Sequence, residues 1–218
     1  MKHDAVIFDM DGLLLDTERL ALQSFLVACE ALDIAADASL YLQCIGTTKQ
    51  RTREILVRAL GETFSYDDLY RVWSEEFDRS ATEKAISVKN GALQLLNQVR
   101  TARLPMALAT STPHERAVRQ LQNAGLFDFF DSIIGGDHVR RGKPDAEIYL
   151  KAAGILGVSP ARCLAIEDSD NGVRSAHAAG MTVIQVPDLV QPADDVRNLG
   201  HRIMKSLADV GRYLDAQA

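Results

Sequence analysis

The segment AVIFDMDG, residues 5–12, places four apolar residues directly before two carboxylates and a glycine. A short apolar run of this kind predicts a buried strand. As the strand ends, Asp9 and Asp11 can point towards one pocket, and Gly12 permits a tight backbone turn. Close carboxylates repel each other, so a site that holds two is usually satisfied by a cation or by a shared proton. Taken alone, the segment fits a polar turn after a strand equally well.

Further short apolar runs alternate with helical patterns along the rest of the chain. They lie at residues 106–109, 133–134, 163–166 and 182–186. This alternation predicts parallel strands joined by crossover helices. The expected fold class is therefore α/β, with a doubly wound, Rossmann-like parallel sheet.

Residues 17–84 contain no convincing strand and show three amphipathic patterns instead. We therefore predict a helical-bundle cap domain that is inserted into a catalytic core made of residues 1–16 and 85–218. Trp73 falls on the apolar face of the third pattern, so it is predicted to be core.

Helix start and stop signals delimit the three predicted helices of the insert. The first begins near Asp16 or Thr17, both good N-cap residues. The second follows residues 46–48 and ends at Gly61. The third begins after Ser65, which stands three residues before an aspartate and resembles a capping box.

Hydroxyl side chains follow the second predicted core strand, at Thr110, Ser111 and Thr112, and Pro113 is placed to start a helix. Hydroxyls and free backbone amides at a helix N-terminus suit an oxyanion such as phosphate. Simple capping of the helix by Ser111 or Thr112 explains the same residues.

Two more polar clusters fall at the same sheet edge. Lys143 precedes Pro144, which suits the first position of a helix, and the lysine would add positive charge there. Glu167 and Asp168 follow an apolar strand, and oxygen-rich side chains in that place suit Mg²⁺. A lone surface lysine and an acidic surface turn are the alternatives. Four clusters after strands, at the edge where doubly wound sheets bind ligands, form the main argument for a site.

Composition limits the partners of this chain. It has 218 residues, 47% of them hydrophobic, and a formal charge of −6. Negative charge works against binding a nucleic acid polymer or an anionic membrane, so we expect a small-molecule partner. The three cysteines, Cys29, Cys44 and Cys163, lack CxxC spacing and are expected to be buried free thiols. No apolar run approaches a membrane span, and the expected location is cytoplasmic. Monomer and dimer are left open.

The four clusters together resemble the motifs of the haloacid dehalogenase superfamily of phosphotransferases. Asp9-Met10-Asp11-Gly12 looks like the first motif, Thr110 the second, Lys143 the third and Glu167-Asp168 the fourth. The resemblance covers nearly the whole chain. The helical insert is similar to the cap of the subgroup that contains β-phosphoglucomutase and phosphoglycolate phosphatase. Residues 9–19, together with residues 142–145 and Asn171-Gly172, look like the pseudouridine-5′-phosphatase branch, although these strings recur in other members.

This resemblance implies roles for the polar residues. Asp9 would attack phosphorus to form an aspartyl-phosphate, and Asp11 would protonate the leaving alcohol and later activate water. Thr110, the amide of Ser111 and Lys143 would hold the phosphate oxygens.

The resemblance also implies a metal site and a substrate-binding surface on the cap. Mg²⁺ would be held by Asp9, Asp168 and the backbone carbonyl of Asp11, with Glu167 close to its bound waters. The cap loop, residues 45–49, resembles the family's specificity loop. The residues that could meet the substrate's polar body are Arg19, Thr47, Lys49 and Arg51, and a solvated surface is the alternative for each.

The predicted function is therefore Mg²⁺-dependent hydrolysis of a small phosphate monoester, such as a sugar phosphate or a nucleoside monophosphate. A phosphomutase is the main alternative because it shares the core motifs. Two departures favour a phosphatase: Ala21 stands where the mutases carry a histidine, and Lys49 where they carry an arginine. A noncatalytic phosphoacceptor is less favoured, since such chains are about half as long. Asp11 speaks against a dehalogenase and a phosphonoacetaldehyde hydrolase.

Overall fold

The four apolar residues Ala5–Phe8 form β1, which is fully buried at the centre of a parallel sheet. The computed structural model describes residues 3–45, 47, 49–61 and 64–216. Its six strands run in the order β3-β2-β1-β4-β5-β6, and every neighbouring pair is parallel. The other strands are β2 (Met106–Ala109), β3 (Ser132–Ile134), β4 (Cys163–Glu167), β5 (Thr182–Gln185) and β6 (Arg202–Ile203). The predicted α/β class is confirmed.

The strand order reverses at β1. From there the chain first builds outward through β2 and β3, and then returns to the other side of β1 for β4, β5 and β6. The carboxyl ends of β1 and β4 therefore flank a topological switch point, where open α/β sheets leave a crevice for ligands. The edge strand β6 was not predicted, because its two residues are exposed and form no apolar run.

By its internal contacts the chain divides into two compact units, Met1–Asp16 with Ser87–Ala218, and Thr17–Ile86. Among its described residues the second unit contains helices and connecting loops but no strand. Its helices are α1 (Thr17–Ala31), α2 (Ala38–Leu42), α3 (Lys49–Leu60) and α4 (Tyr66–Glu83). The predicted loop signal at residues 46–48 includes Gly46 and Thr48, which lie outside the described residues.

Local capping explains where helices of this unit begin. The hydroxyl of Ser65 accepts a hydrogen bond from the Asp68 amide at 3.2 Å, so the predicted cap of α4 is confirmed. Helix α2 was not predicted. Asp37 starts it by accepting hydrogen bonds from the amides of Ser39 and Leu40.

An aromatic cluster organises the core of the helical unit. Phe25 packs edge-on against Trp73 with ring centroids 5.4 Å apart, and Tyr41 lies 5.8 Å from Trp73. The indole nitrogen of Trp73 donates to the backbone oxygen of Ala21 at 2.9 Å. Trp73 is therefore part of this core, as predicted, with its polar atom satisfied.

The sheet unit is completed by helices that cover the sheet. They are α5 (Ala92–Thr101), α6 (His114–Asn123), α7 (Glu147–Leu156), α8 (Asp170–Ala178), α9 (Asp194–Arg197) and α10 (Leu207–Asp215). The buried residues of α7 and α8 pack with alanines and other apolar side chains of β1, β2, β4 and β5 into one core.

The prediction that Pro144 starts a helix is wrong. Residues 143–146 form a turn, and α7 begins at Glu147. The Asp145 carboxylate accepts a hydrogen bond from the Glu147 amide at 3.0 Å, which satisfies an N-terminal amide of the helix at that point. Lys143 is thus carried by a loop and not by a helix.

The three cysteines are free and buried, as predicted. Burial raises the pKa of each thiol to about 11, so the reactive thiolate is scarce at neutral pH. Within the described residues, no helix is long and apolar enough to cross a membrane.

Candidate active site

Parallel pairing brings the predicted clusters to one edge of the sheet. Phe8 pairs with Ile166, and the Asp9 amide donates to the Ile166 carbonyl at 3.0 Å. The first and fourth clusters therefore follow adjacent strands and lie side by side. Leu108 pairs with Phe8 from the other side, so Thr110 lies two residues beyond that pair at the same edge.

Lys143 ties the third cluster to the first and the fourth. Its ammonium group donates to Asp9 Oδ1 at 2.6 Å and to Glu167 Oε1 at 2.5 Å. The Lys143 and Asp9 side chains are 5% and 7% exposed, and that of Glu167 is fully buried. Charges in such a place are stable only when they are paired and hydrogen-bonded, so this trio behaves as one unit.

Burial and neighbouring charges shift the pKa values of this unit. Burial lowers the pKa of Lys143, but the carboxylates of Asp9 and Glu167 outweigh burial and raise it above its usual value. Lys143 therefore stays an ammonium ion. Burial raises the pKa of Asp9 well above its usual value; Lys143 opposes this, and the nearby carboxylates of Glu167 and Asp11 reinforce it. A further positive charge at this place would favour the ionised form of Asp9.

Glu167 is held by several donors besides Lys143. The hydroxyl of Tyr149 donates to Oε1 at 2.7 Å, and the Asp168 amide and Ser169 hydroxyl donate to Oε2 at 3.1 and 3.2 Å. Burial and the nearby Glu167 carboxylate raise the pKa of Tyr149 well above its usual value, so it remains a donor. Sequence reasoning missed Tyr149. A tyrosine in an apolar helical pattern gives no sign that its hydroxyl will face a carboxylate.

A glycine makes room for the Glu167 side chain. A Cβ atom on Gly172 would lie 1.8 Å from Glu167 Oε1 and 1.9 Å from its Cδ. No side chain fits there without displacing the carboxylate.

Three carboxylates of the site could hold a metal ion. Asp9, Glu167 and Asp168 each offer a carboxylate oxygen, these atoms lie within 4.8 Å of one another, and all three residues are buried. When ionised, the three outnumber the single ammonium group of Lys143 by two negative charges. Buried hard oxygen donors with this charge excess fit a divalent cation such as Mg²⁺.

Asp11 lies in different surroundings from Asp9. It is partly exposed, and its Oδ2 accepts hydrogen bonds from the hydroxyls of Thr110 and Thr112, both at 2.8 Å. The Thr112 amide in turn donates to the Thr110 hydroxyl at 3.1 Å. The predicted phosphate contact Ser111 is exposed on the loop between them. Thr112 was seen in the sequence only as a capping candidate, whereas its hydroxyl orients Asp11.

Two histidines lie next to this loop. The His114 amide donates to Asp137 Oδ1 at 2.7 Å, and the rings of His114 and His138 stack with centroids 4.5 Å apart. Helix α6 therefore begins at a backbone amide bonded to a carboxylate. The capping of this helix by Ser111 or Thr112 is not observed, since Pro113 is its N-cap.

The helical unit contains the other predicted substrate contacts. Arg19 is exposed on α1. Arg51 is exposed on α3, and its Nη1 lies 2.9 Å from Oε2 of Glu54. The Thr47 hydroxyl donates to the Cys44 carbonyl at 2.8 Å. The Lys49 ammonium lies over the ring of Tyr70, 3.9 Å from its centroid.

Comparison with known proteins agrees with these motifs. Residues 6–186 match the model of the haloacid dehalogenase-like hydrolase family. A phosphorylated carbohydrates phosphatase of Thermotoga maritima is 35% identical over 178 residues, which cover 82% of each chain. A β-phosphoglucomutase of Bacillus subtilis is 28% identical over 190 residues, covering 84% of this chain and 82% of the relative.

A solved structure has a similar fold over nearly the whole chain. The crystal structure of a CbbY protein of Rhodobacter sphaeroides in complex with xylulose-1,5-bisphosphate has a TM-score of 0.78 and 27% identity, with 96% of both chains covered. The motif residues, their shared sheet edge and the family match over most of the chain lead to one conclusion: this chain belongs to the haloacid dehalogenase-like hydrolase family and is an enzyme of the phosphoric monoester hydrolase type.

Proposed function

We propose that this enzyme is a Mg²⁺-dependent phosphatase that hydrolyses small sugar phosphates through an aspartyl-phosphate on Asp9. One observation carries the proposal: Asp9 and Asp11, the two carboxylates that follow β1, have opposite surroundings. Asp9 is buried and paired with Lys143, whereas Asp11 is partly exposed and held by two hydroxyls. Two carboxylates in unlike environments can take the two different roles of nucleophile and proton donor.

The first chemical step uses both carboxylates. An oxygen of Asp9 forms a bond to phosphorus while the ester P–O bond breaks, and Asp11 gives its proton to the departing alkoxide oxygen. The Thr112 hydroxyl holds Asp11 in one orientation for this transfer. The products are the free alcohol and an aspartyl-phosphate.

The second step restores the enzyme. Asp11, now ionised, accepts a proton from a water molecule as the water oxygen bonds to phosphorus, and the bond from phosphorus to the Asp9 oxygen breaks. Inorganic phosphate leaves, Asp9 regains its carboxylate and Asp11 regains its proton.

The residues that would hold Mg²⁺ are Asp9, Asp168 and the backbone carbonyl of Asp11. The carboxylate of Glu167 already accepts several protein hydrogen bonds, which supports a place beside the metal's waters for it. When bound, the metal would offset the charge of the phosphate and of the carboxylates around it.

Three groups of the chain would bind the phosphate oxygens. They are the Thr110 hydroxyl, whose single proton would turn from Asp11 to a phosphate oxygen when substrate binds, the Ser111 amide and the Lys143 ammonium. The burial of Lys143 supports this role, because a desolvated cation acts on an incoming anion far more strongly than an exposed one.

Sugar phosphates are the proposed substrates because of the likeness to the phosphorylated carbohydrates phosphatase. We propose further that residues 17–84 act as a cap on a core of residues 1–16 and 85–218, with Arg19, Thr47 and Lys49 towards the substrate. The observed division after Asp16 and before Ser87 supports those boundaries. Three buried free thiols support a reducing cytoplasm as its location.

The proposal is tested by measuring phosphate release from sugar phosphates, nucleoside monophosphates, phosphoglycolate and pseudouridine 5′-phosphate. We expect activity only with Mg²⁺, loss of activity in chelator, and inhibition by Ca²⁺, which prefers more ligands and looser geometry. Full activity in excess chelator would contradict the metal role.

A phosphomutase is the second candidate, on the likeness to β-phosphoglucomutase. Ala21 opposes it, because a methyl group on α1 offers no donor or acceptor for proton transfer. Phosphate release that equals substrate loss is the expected result. Isomerised sugar phosphate without phosphate release, dependent on a bisphosphate primer, would overturn the phosphatase assignment.

A further inference from the structure

Gln185 is a buried polar side chain that the mechanism above does not use. It lies beside residues 167–170, which we call the acidic loop. It is the last residue of β5, pairs with Glu167 of β4 and is 1% exposed. Its Nε2 donates to the backbone oxygen of Asp168 at 3.0 Å and to Asp170 Oδ1 at 3.3 Å. Its Oε1 lies 2.8 Å from Nε2 of His201.

These partners leave one orientation for the Gln185 amide. A carbonyl oxygen and a carboxylate are acceptors only, so the NH₂ group must face Asp168 and Asp170. The opposite orientation would place three oxygens against each other. His201 Nε2 must then carry the proton that Oε1 accepts. Burial lowers the pKa of His201, and nearby His177 lowers it further although Asp170 opposes this, which agrees with a neutral ring.

Gln185 completes the restraint on the backbone of Asp168. The Asp168 amide donates to Glu167 Oε2 at 3.1 Å, and its carbonyl accepts from Gln185. The amide and the carbonyl of Asp168 are therefore both held in place. This also restrains the direction in which its side chain points from the backbone. Asp170 is restrained as well, because its Oδ2 accepts from the Ala193 amide at 3.0 Å.

We propose that Gln185, anchored by His201, is a positioning residue that aims the Asp168 carboxylate at the bound metal. This inference rests on the proposed function, in which Asp168 is a metal ligand. Groups behind the ligands of a metal orient them, and their loss typically weakens metal affinity about 10- to 100-fold. Gln185 acts through the backbone and not on the carboxylate itself, so the expected effect is at the lower end of that range.

The test measures metal affinity directly, without turnover. Mn²⁺ binding is followed by electron paramagnetic resonance, and Mg²⁺ affinity is obtained by competition. In Gln185→Met, which keeps the length of the side chain and removes its hydrogen bonds, we expect affinity about 10-fold weaker than in the unaltered enzyme. Lost turnover should recover as Mg²⁺ is raised.

The matched control is Gln98→Met. Gln98 also donates from Nε2 to a backbone carbonyl, that of Gly211 at 2.9 Å, and to a carboxylate, that of Asp215 at 2.6 Å. It makes the same kinds of hydrogen bond between α5 and α10, far along the chain from the acidic loop. We expect its metal affinity to equal that of the unaltered enzyme.

His201 provides a second route if Gln185→Met does not fold. His201→Phe removes the donor to Gln185 Oε1 and should weaken metal binding, whereas His201→Gln can place an amide N–H near the same point and should restore it. Equal affinity in both variants and in the unaltered enzyme would overturn the inference.

The outcome also separates this inference from the proposed function. Absence of metal binding in the unaltered enzyme would overturn both. Unchanged affinity in Gln185→Met, together with weak binding in Asp168→Asn, would overturn the role of Gln185 alone.

Discussion

Lys143 of the sheet unit and Lys49 of the helical unit are both proposed to meet an anionic substrate, but their surroundings are opposite. Lys143 is 5% exposed and bonded to two buried carboxylates. Lys49 is exposed and lies over the ring of Tyr70. Breaking a buried ion pair typically costs about 3–5 kcal/mol, whereas an exposed cation–π contact contributes about 0.5–1 kcal/mol.

This difference separates two kinds of task. The charges at the sheet edge are fixed by neighbours before a substrate arrives, which is the preorganisation that stabilises a transition state. The cations of the helical unit are solvated and can be exchanged at little loss of stability. We therefore expect substitutions at the sheet edge to change the rate of the chemistry, and substitutions of helical-unit cations to change substrate preference.

The largest effect should come from Asp9→Asn. The amide is nearly the same shape as the carboxylate but a poor nucleophile, so turnover should fall by more than about 10⁴-fold. Circular dichroism should show an unchanged fold. Activity within roughly tenfold of the unaltered enzyme would contradict the covalent role.

Asp11→Asn should be the next most severe change, with a loss of about 10² to 10⁴-fold through failed proton transfer. A milder test of the same group is Thr112→Val, which removes one of the two hydroxyls that donate to Asp11. That variant should lose about tenfold, since a hydrogen bond to a charged group contributes about 1.5 kcal/mol. Steady-state rates at saturating Mg²⁺ measure both, and a mild effect of Asp11→Asn would remove it as acid and base.

Gly172→Ala tests how rigid the sheet edge is. The new Cβ would overlap the Glu167 carboxylate, which Lys143 and Tyr149 hold in place, so we expect a loss of about 1–3 kcal/mol in stability and a lower rate. Gly154→Ala is the control, because Gly154 is exposed within α7 with no atom within 4 Å of the new Cβ. It should stabilise the protein by about 0.5–1 kcal/mol in thermal unfolding. Equal stability of the two variants would show that the Glu167 carboxylate can move aside without loss of stability.

The smallest effect is expected for Lys49→Met. Loss of one exposed cation should raise KM for a sugar phosphate by about threefold and leave kcat unchanged, in line with interactions of about 0.2–1 kcal/mol at a surface. Arg58→Met, an exposed change on the same helix α3, should alter neither constant. A tenfold fall in kcat for Lys49→Met would show that the helical unit takes part in the chemistry.

The amino-acid sequence was sufficient for five of the six strands of the described sheet and for the order of the polar clusters. Short apolar runs that alternate with helical patterns fit parallel strands buried on both faces, and the residue that follows such a strand lies at its carboxyl edge. Asp9, Thr110, Glu167 and Asp168 could therefore be placed at one edge in advance. Short exposed elements such as α2 and β6 carry too little pattern. The predicted helix start at Pro144 was wrong, since α7 begins at Glu147, whose amide donates to the Asp145 side chain.

The partners of those residues were decided by the tertiary structure. Lys143 stands 134 residues from Asp9 in the chain, and Gln185 stands 17 residues from Asp168. Periodicity reports which side of an element is apolar, but it carries no information on which distant polar atom a side chain will meet. The chemical groups of the site are thus written in local segments of the sequence, whereas their distances, their burial and the resulting pKa shifts exist only once the sheet has brought the segments together.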